Sequence, residues 1–185
     1  MPHKINSLFL IFAISLACFT RTAQADSQEN TIYIVMPQGQ ISIEMKPDIA
    51  PKHVEQIKTL IQQGFYDNME WFRVIEGFIA QTGYPLDEAK GANGKSKLPD
   101  LPDEFSTYPF KRGTVGMGKS DTPNSANSQF FICLSDEMCK DLTGHYTAWG
   151  QVIDGMAIVD SIKAGTPPKN PDKTVKIVAF KVARP

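Results

Sequence analysis

Strand-like segments follow one another through most of this chain, with few helical segments between them. The first two flank Pro37-Gln38-Gly39-Gln40 within TIYIVMPQGQISIEMK (31–46), where apolar and polar residues alternate, and this pattern predicts a β-hairpin. Strands that are not separated by helical crossovers favour an antiparallel sheet, and eight such strands can close into a barrel. The other six strand candidates are WFRVI (71–75), FIAQTG (78–83), GTVGMG (113–118), QFFICL (129–134), TAWGQVI (147–153) and TVKIVAFKV (174–182).

Two segments have helical periodicity. Pro51 suits the first turn of a helix whose apolar residues recur on one face until Gly64 ends it. A second helix is predicted after Asp154, which can cap it, and Gly165 ends that helix. Two such helices would cover the open ends of a barrel. Residues 84–112 are rich in Gly, Asn, Asp and Pro without a regular period, so we expect a long surface excursion there.

The N-terminal segment has the order of a secretory signal peptide. A basic start precedes the apolar run LFLIFAISLACF (8–19), and a polar stretch then ends in the small residues around Ala25. This order predicts export and cleavage after Ala25, with a single domain over residues 26–185 in the periplasm or, alternatively, secreted. A retained membrane anchor would need about 20 apolar residues, and a lipid anchor on Cys18 is the other alternative. We therefore expect no stable membrane insertion of the mature chain.

The charge of the predicted mature chain is small. Loss of Lys4 and Arg21 with the leader reduces 19 basic residues to 17, against 20 acidic ones, which gives a net charge of −3. Such a surface argues against nucleic acid and anionic membrane as partners. Cys133 and Cys139 remain in the mature chain, and an oxidising compartment permits a disulfide between them. Their spacing leaves open whether they pair or stay as free thiols.

One stretch matches a nucleotide-binding pattern but lacks its surroundings. GTVGMGKS (113–120) satisfies the phosphate-binding loop pattern G-x-x-x-x-G-K-[ST]. That loop needs a buried strand before it and a helix after it. Here STYPFKR precedes the match, and DTPNSANS, which contains Pro123, follows it. We therefore reject nucleotide binding.

Signatures of metal or nucleophilic catalysis are missing from the mature sequence. His53 and His145 are its only histidines, and it has no C-x-x-C, H-E-x-x-H or G-x-S-x-G motif. We expect no metal site and no cofactor. An activity of this chain would have to work without a nucleophile, a metal ion or a proton relay.

One arginine among aromatic and amide side chains is the remaining candidate for chemistry. Strand parity puts Trp71 and Arg73 on one face of their strand, and Ile79 and Gln81 on one face of the next. On the residues alone, Arg73 could equally form a surface salt bridge or stack on Trp71. An unpaired guanidinium is expensive to desolvate, so its place between two apolar strands needs a reason.

Three long motifs follow one another in the chain: WFRVIEGFIAQTG (71–83), GTVGMGKSDTPNSANSQFFICL (113–134) and LTGHYTAWGQVIDGMAIVDSI (142–162). Together and in this order they resemble the cyclophilins, a family of peptidyl-prolyl isomerases. The resemblance covers nearly all of residues 30–183 and implies an eight-stranded antiparallel closed β-barrel capped by two α-helices, in agreement with the strand and helix tally. It also implies that the chain isomerises X-Pro bonds in exported or periplasmic polypeptides. We expect it to act as a monomer.

The resemblance assigns roles to the residues at matching positions. Arg73 matches the family's catalytic arginine, and Gln81 would orient the substrate carbonyl or Arg73 itself. Backbone groups of Gly118 and Lys119 would hold the residues before the proline. The other substrate-binding positions are Phe78, Ile79, Phe131 and Leu142 in an apolar pocket for the proline ring, Gln129 in the groove, and Tyr146, where many relatives have histidine.

Two departures from the family pattern motivate an alternative function. Phe72 replaces the usual histidine beside the catalytic arginine, and Asp141 stands where the family typically has tryptophan or phenylalanine. Neither change removes the guanidinium or the pocket, but Asp141 weakens the expectation that cyclosporin-like drugs bind. The alternative is a chaperone module that binds proline-containing segments with little turnover.

Overall fold

The structure is a computed structural model that describes residues 30–165 and the backbone of residues 179–182. The predicted signal peptide lies outside the described residues, as does the first part of the strand predicted at 174–182. In the part of the chain that is described, no helix is both long enough and apolar enough to cross a membrane.

Eight strands form one curled antiparallel sheet. Its order is β10-β1-β2-β9-β7-β8-β4-β3, and every neighbouring pair is antiparallel. This mostly antiparallel β-structure with few helices confirms the predicted fold class. It differs from the predicted closed barrel in one respect, because β10 and β3 do not pair with each other among the described residues and the sheet is open between them. The strands of this sheet are β1 (Thr31–Met36), β2 (Gly39–Met45), β3 (Arg73–Ile75), β4 (Ile79–Thr82), β7 (Thr114–Met117), β8 (Phe130–Cys133), β9 (Ala148–Asp154) and β10 (Ala179–Val182).

Alternation along the strands separates two apolar clusters on opposite faces of the sheet. On β8, Phe130 and Ile132 belong to the main core, whereas Phe131 and Cys133 belong to a smaller cluster. Successive side chains of a strand point to opposite faces, so one apolar run serves both clusters. The smaller cluster forms the floor of the cavity described below.

Both predicted helices are present, but only the first has the predicted limits. Helix α1 (Pro51–Gln62) buries its apolar face in the main core, and Gly64 follows it at a φ of +66°. The second predicted helix is short, α3 (Met156–Asp160), and Gly155 rather than Asp154 is its N-cap. This difference arises because Asp154 still belongs to β9.

A short helical segment near the cavity was not predicted. Helix α2 (Asp136–Cys139) and a 3₁₀ turn (Lys140–Leu142) follow β8 directly. Ser135 caps α2, since its side chain accepts a hydrogen bond from the backbone N–H of Met138 at 3.1 Å. A segment of this length has too few turns to show a helical period, so the sequence pattern did not reveal it.

The excursion over residues 84–112 is more closely packed than predicted. It contains a two-stranded ribbon, β5 (Gly91–Ala92) and β6 (Lys95–Ser96), and buries Phe110 at 1% exposure. Glu104 fixes it to α1, because its carboxylate accepts from the backbone N–H of His53 at 3.1 Å and from the imidazole at 2.6 Å. These contacts hold the segment beside the cavity.

Candidate active site

A cavity of about 330 Å³ lies over the smaller apolar cluster. Every substrate-binding or catalytic residue predicted from the sequence lines it, except Gln129. Strands β3, β4 and β8, the end of β7 and the segment after α2 each contribute to its wall. The lining residues are Arg73, Phe78, Ile79, Gln81, Gly118, Lys119, Phe131, Leu142 and Tyr146.

Arg73 reaches this cavity without a carboxylate partner. It begins β3 and lies opposite Gln81 on β4, and its Nη1 donates to the Gln81 Oε1 at 3.0 Å. Among residues 30–165, no acidic side chain forms an ion pair with it. The alternative of a surface salt bridge is therefore wrong, and the cationic charge is directed to the cavity.

Trp71 does not accompany Arg73, contrary to the parity argument. Its side chain is 2% exposed and lies in the main core, where it makes an edge contact with Phe130 at 6.3 Å between ring centroids. Parity failed because β3 begins only at Arg73, and strict alternation holds only inside a strand. Stacking of Arg73 on Trp71 is accordingly excluded.

A chain of hydrogen bonds orients the guanidinium, and we call it the amide relay. Arg73 donates to Gln81, the Nε2 of Gln81 donates to Gln129 Oε1 at 3.0 Å, and the Nε2 of Gln129 donates to the carbonyl of Gly94 at 2.8 Å. A guanidinium can only donate and a carbonyl can only accept. The two ends therefore dictate which way both amides point.

Gln129 acts in the relay rather than in the wall of the first cavity. It lines a second cavity of about 210 Å³, which shares Gly118 and Lys119 with the first. Gly94, which receives the end of the relay, belongs to the excursion and was not identified from the sequence. No local pattern signals it, because its partner is 35 residues away along the chain.

Aromatic rings form the floor of the first cavity. Phe131 stacks on Phe110 with the ring centroids 5.9 Å apart and the planes at 27°, and it meets the edge of Tyr146 at 5.7 Å. Such contacts fix a ring more firmly than burial alone. Sequence reasoning missed Phe110. Gly116 lies beneath both stacked rings, where an added Cβ would come within 2.5 Å of each.

A disulfide holds the wall that carries Leu142. Cys133 at the end of β8 is bonded to Cys139 at the end of α2, with their Cα atoms 6.2 Å apart, and both are fully buried. The pairing that the sequence left open is therefore present in the structure. The turn after Cys139 carries Leu142, whose carbonyl accepts from the backbone N–H of Tyr146 at 3.0 Å.

Backbone groups at the rim remain available for an extended peptide. The N–H of Gly118 already donates to the carbonyl of Gln129 at 2.7 Å. The carbonyl of Gly118 and the N–H of Lys119 have no hydrogen-bond partner within the described part of the chain. An adjacent acceptor and donor of this kind can pair with one residue of an extended chain.

The guanidinium and the relay are the fixed polar groups that this site offers for chemistry. Residues 30–165 contain no group of three or more His, Cys, Asp or Glu side chains that could hold a metal ion. What they offer is a fixed cation beside an apolar, ring-sized hollow. Such a site can bind a small apolar ring and polarise an adjacent amide.

A family comparison agrees with this geometry. Residues 31–182 match the sequence model of the family described as cyclophilin type peptidyl-prolyl cis-trans isomerase. The chain belongs to this family. The enzyme class predicted from the three motifs is thus confirmed, and this cyclophilin is a peptidyl-prolyl cis-trans isomerase.

Relatives of this cyclophilin cover between 69% and 91% of its length. A probable peptidyl-prolyl cis-trans isomerase of Brucella suis is 45% identical, over 91% of this chain and 95% of its own. A peptidyl-prolyl cis-trans isomerase of Helicobacter pylori is 32% identical over 69% of this chain and 77% of its own. A Cryptosporidium parvum cyclophilin, crystallised in the presence of the dipeptide Ala-Pro, superposes with a TM-score of 0.72 at 26% identity, covering 84% of this chain and 99% of that one.

Proposed function

We propose that this cyclophilin isomerises X-Pro bonds in exported polypeptides by using Arg73 to stabilise the twisted imide. The observation that carries the proposal is the position of the guanidinium. It lies in the wall of an apolar cavity, held by an amide and free of any carboxylate among residues 30–165. A proline ring on the Phe131 floor would bring its imide next to that cation.

The physical reason lies in the electronic change during rotation. A planar imide is held by resonance, which gives a barrier of about 18–20 kcal/mol. Resonance is lost when the bond twists, and the nitrogen becomes pyramidal and regains a lone pair. A fixed donor that meets the twisted imide better than the planar one lowers the barrier by differential binding. No proton transfer is required.

The hydrogen bond cannot supply the whole acceleration. A rate gain on the order of 10⁴–10⁶ needs about 5.5–8 kcal/mol. One charge-assisted hydrogen bond contributes about 1.5–3 kcal/mol. The remainder has to come from positioning and from exclusion of water. The stacked pair of Phe131 and Phe110 offers a rigid apolar surface that can position the proline ring and exclude water from it.

Replacement of Arg73 tests the proposed mechanism. Arg73→Ala is expected to reduce kcat/KM on a short Ala-Pro peptide by about 10²- to 10³-fold, as loss of one preorganised donor does elsewhere. Two-dimensional exchange NMR measures the isomerisation directly. Arg112→Ala is the matched control, because Arg112 is exposed and forms an ion pair with Asp160 at 2.6 Å outside the cavity. Equal exchange rates in the two variants would contradict the role of Arg73.

The same assay separates the enzyme from a module that only binds proline. A saturating peptide that is bound but not exchanged faster than free peptide would support the chaperone alternative. We favour turnover because a binder has no need for a cation held beside the proline ring.

Export to the periplasm is the second part of the proposal. Its support is the order of basic, apolar and small residues at the N-terminus and the disulfide between Cys133 and Cys139, which is typical of oxidising compartments. Cell fractionation combined with intact mass measurement tests it. The expected protein is periplasmic and begins at Asp26, whereas a cytoplasmic protein of full mass would refute export.

A further inference from the structure

The second cavity borders the first at Gly118 and Lys119. Gly118 and Lys119 line both cavities, so a ligand that occupies both must pass along these two residues. The first cavity has Arg73 and apolar rings, whereas the second is lined mostly by Ser, Asn, Gln and Gly together with Lys95 and Lys119. No carboxylate of residues 30–165 lines the second cavity, but Asp100 pairs with Lys95 from just outside it. The uncompensated positive charge of the cavity is therefore that of Lys119.

The ammonium group of Lys119 is held in place but not neutralised. It lies 5.6 Å from the ring centroid of Tyr146 and 5.8 Å from that of Phe105. Among residues 30–165, its single hydrogen bond goes to the carbonyl of Ser120 at 3.4 Å, and no acidic side chain pairs with it. An ammonium has three N–H donors. Lys119 thus keeps donors for an incoming acceptor, while the rings limit its freedom.

The side chains of Lys95, Gln129 and Ser125 in the second cavity already have partners. The Lys95 ammonium is paired with Asp100. The Nε2 of Gln129 donates to Gly94, and the Oγ of Ser125 donates to the carbonyl of Thr122 at 2.6 Å. These bonds belong to the protein and would have to break before the groups could serve a ligand. Lys119 is therefore the charged side chain of this lining that remains open to a negative ligand group.

The spacing of an extended peptide decides which substrate residue reaches Lys119. In an extended chain, every second side chain lies on the same face, at about 6.6–6.8 Å. A proline ring that faces the first cavity puts the side chain two residues before it on the same face. The free carbonyl of Gly118 and the free N–H of Lys119 can hold the residue between them.

We propose that Lys119 makes this cyclophilin select substrates with Asp or Glu at the second residue before the proline. The inference rests on the proposed function, since it assumes that the proline ring occupies the Arg73 cavity. Lys119 acts here as a specificity residue through its side chain, in addition to its backbone. A half-exposed ion pair changes an equilibrium by about two- to fivefold, and that is the preference expected here.

A peptide series measures the preference. The substrates are acetyl-Xaa-Ala-Pro-Phe-amide with Glu, Gln or Lys at Xaa, and exchange NMR gives kcat/KM for each. The wild-type protein is expected to prefer Glu over Gln by about two- to fivefold and to disfavour Lys. Raising the salt concentration from 0.05 M to 0.5 M should reduce the Glu-to-Lys ratio, because the Debye length falls to a few ångströms. This salt effect requires no variant.

Charge variants assign the preference to one side chain. Lys119→Gln should bring the Glu-to-Lys ratio close to one, and Lys119→Glu should invert it. Lys111→Gln is the matched control, since it removes the same charge from an exposed lysine that lines neither cavity. Its Glu-to-Lys ratio should equal that of the wild type. Ratios are compared within each variant, so a general loss of activity does not affect them.

The outcomes separate this inference from the proposed function. A wild-type protein that exchanges the Gln peptide but shows equal rates for Glu and Lys would overturn the inference alone. Absence of exchange for all three peptides would overturn the proposed function. A stronger effect when Glu is moved to the third residue before the proline would overturn the assigned position. A preference that persists in Lys119→Gln would exclude Lys119 as its source.

Discussion

The polarity of the amide relay can be tested by replacing one amide with an acid of the same shape. In Gln81→Glu, one carboxylate oxygen would still accept from Arg73 at about the present 3.0 Å. The other oxygen would face the Oε1 of Gln129, which now accepts from an N–H at 3.0 Å. If the Gln129 amide turned over, its oxygen would instead face the carbonyl of Gly94 at 2.8 Å. Either arrangement leaves two acceptors in contact.

The larger effect is electrostatic and acts on Arg73. A carboxylate 3.0 Å from the guanidinium interacts with it by about 5 kcal/mol at an effective dielectric constant of about 20. Arg73 and residue 81 are both half-buried, so solvent screens this attraction. We expect the new carboxylate to weaken the stabilisation of the twisted imide by Arg73 by about 1–2 kcal/mol. The expected result is a loss of about 5- to 30-fold in kcat/KM.

Gln129→Glu is the matched control, because it adds the same charge to the same relay without touching the guanidinium. Its new carboxylate would accept from Gln81 and leave the Arg73–Gln81 bond as it is. The repulsive contact would fall on Gly94, so the free energy of unfolding should decrease while kcat/KM falls less than about threefold. Exchange NMR and urea unfolding of both variants give these numbers. Equal losses of activity in the two variants, or full activity in Gln81→Glu, would refute the electrostatic role.

Three further perturbations test the surroundings of the site. Gly116→Ala should lower the free energy of unfolding by about 1–3 kcal/mol and raise the KM for peptide, because the new Cβ displaces Phe131. Unchanged urea midpoints and an unchanged KM would contradict the tight packing around Gly116. Cys139→Ser should destabilise the protein by about 2 kcal/mol, since the disulfide closes a short loop in the unfolded chain. The variant should also bind peptide more weakly. A variant as stable as the wild type would argue against the disulfide. Burial lowers the pKa of His53 from its usual 6.5, and its Nε2 has no partner in the described part of the chain. The unfolded chain therefore binds a proton more readily, and the free energy of unfolding should fall as the pH drops below about 6.5. Urea midpoints measured over a pH series test this. If the midpoint of His53→Asn falls with pH as steeply as that of the wild type, His53 is excluded as the cause.

The main strands could be predicted because their information is local. Apolar and polar residues alternate over six and seven positions in the two strands of the hairpin. A turn of Glu76, Gly77 and Phe78 separates β3 from β4, one residue longer than the sequence indicated. The same holds for α1, where Pro51 and Gly64 mark the limits. Short elements such as α2 gave too few residues to establish a period.

The residues of the cavity could be predicted because three motifs carry them in order. Arg73, Gln81 and Phe131 lie within those motifs, and the structure brings them together through the pairing of β3, β4 and β8. Phe110 and Gly94 lie in a segment without a periodic pattern. Nothing in the local sequence indicates that Phe110 stacks against Phe131 or that the carbonyl of Gly94 ends the amide relay.

The sequence by itself determined the succession of strands, the family and the presence of one cation among amides and aromatic rings. The tertiary structure alone decided that Trp71 turns into the core while Arg73 turns to the cavity, that Cys133 meets Cys139, and that Lys119 joins two cavities. The physical reason is the distance along the chain over which each interaction acts. Alternation and turn chemistry act between neighbours, whereas hydrogen-bond polarity, ring stacking and unpaired charge depend on atoms that the sheet register brings together from distant parts of the chain.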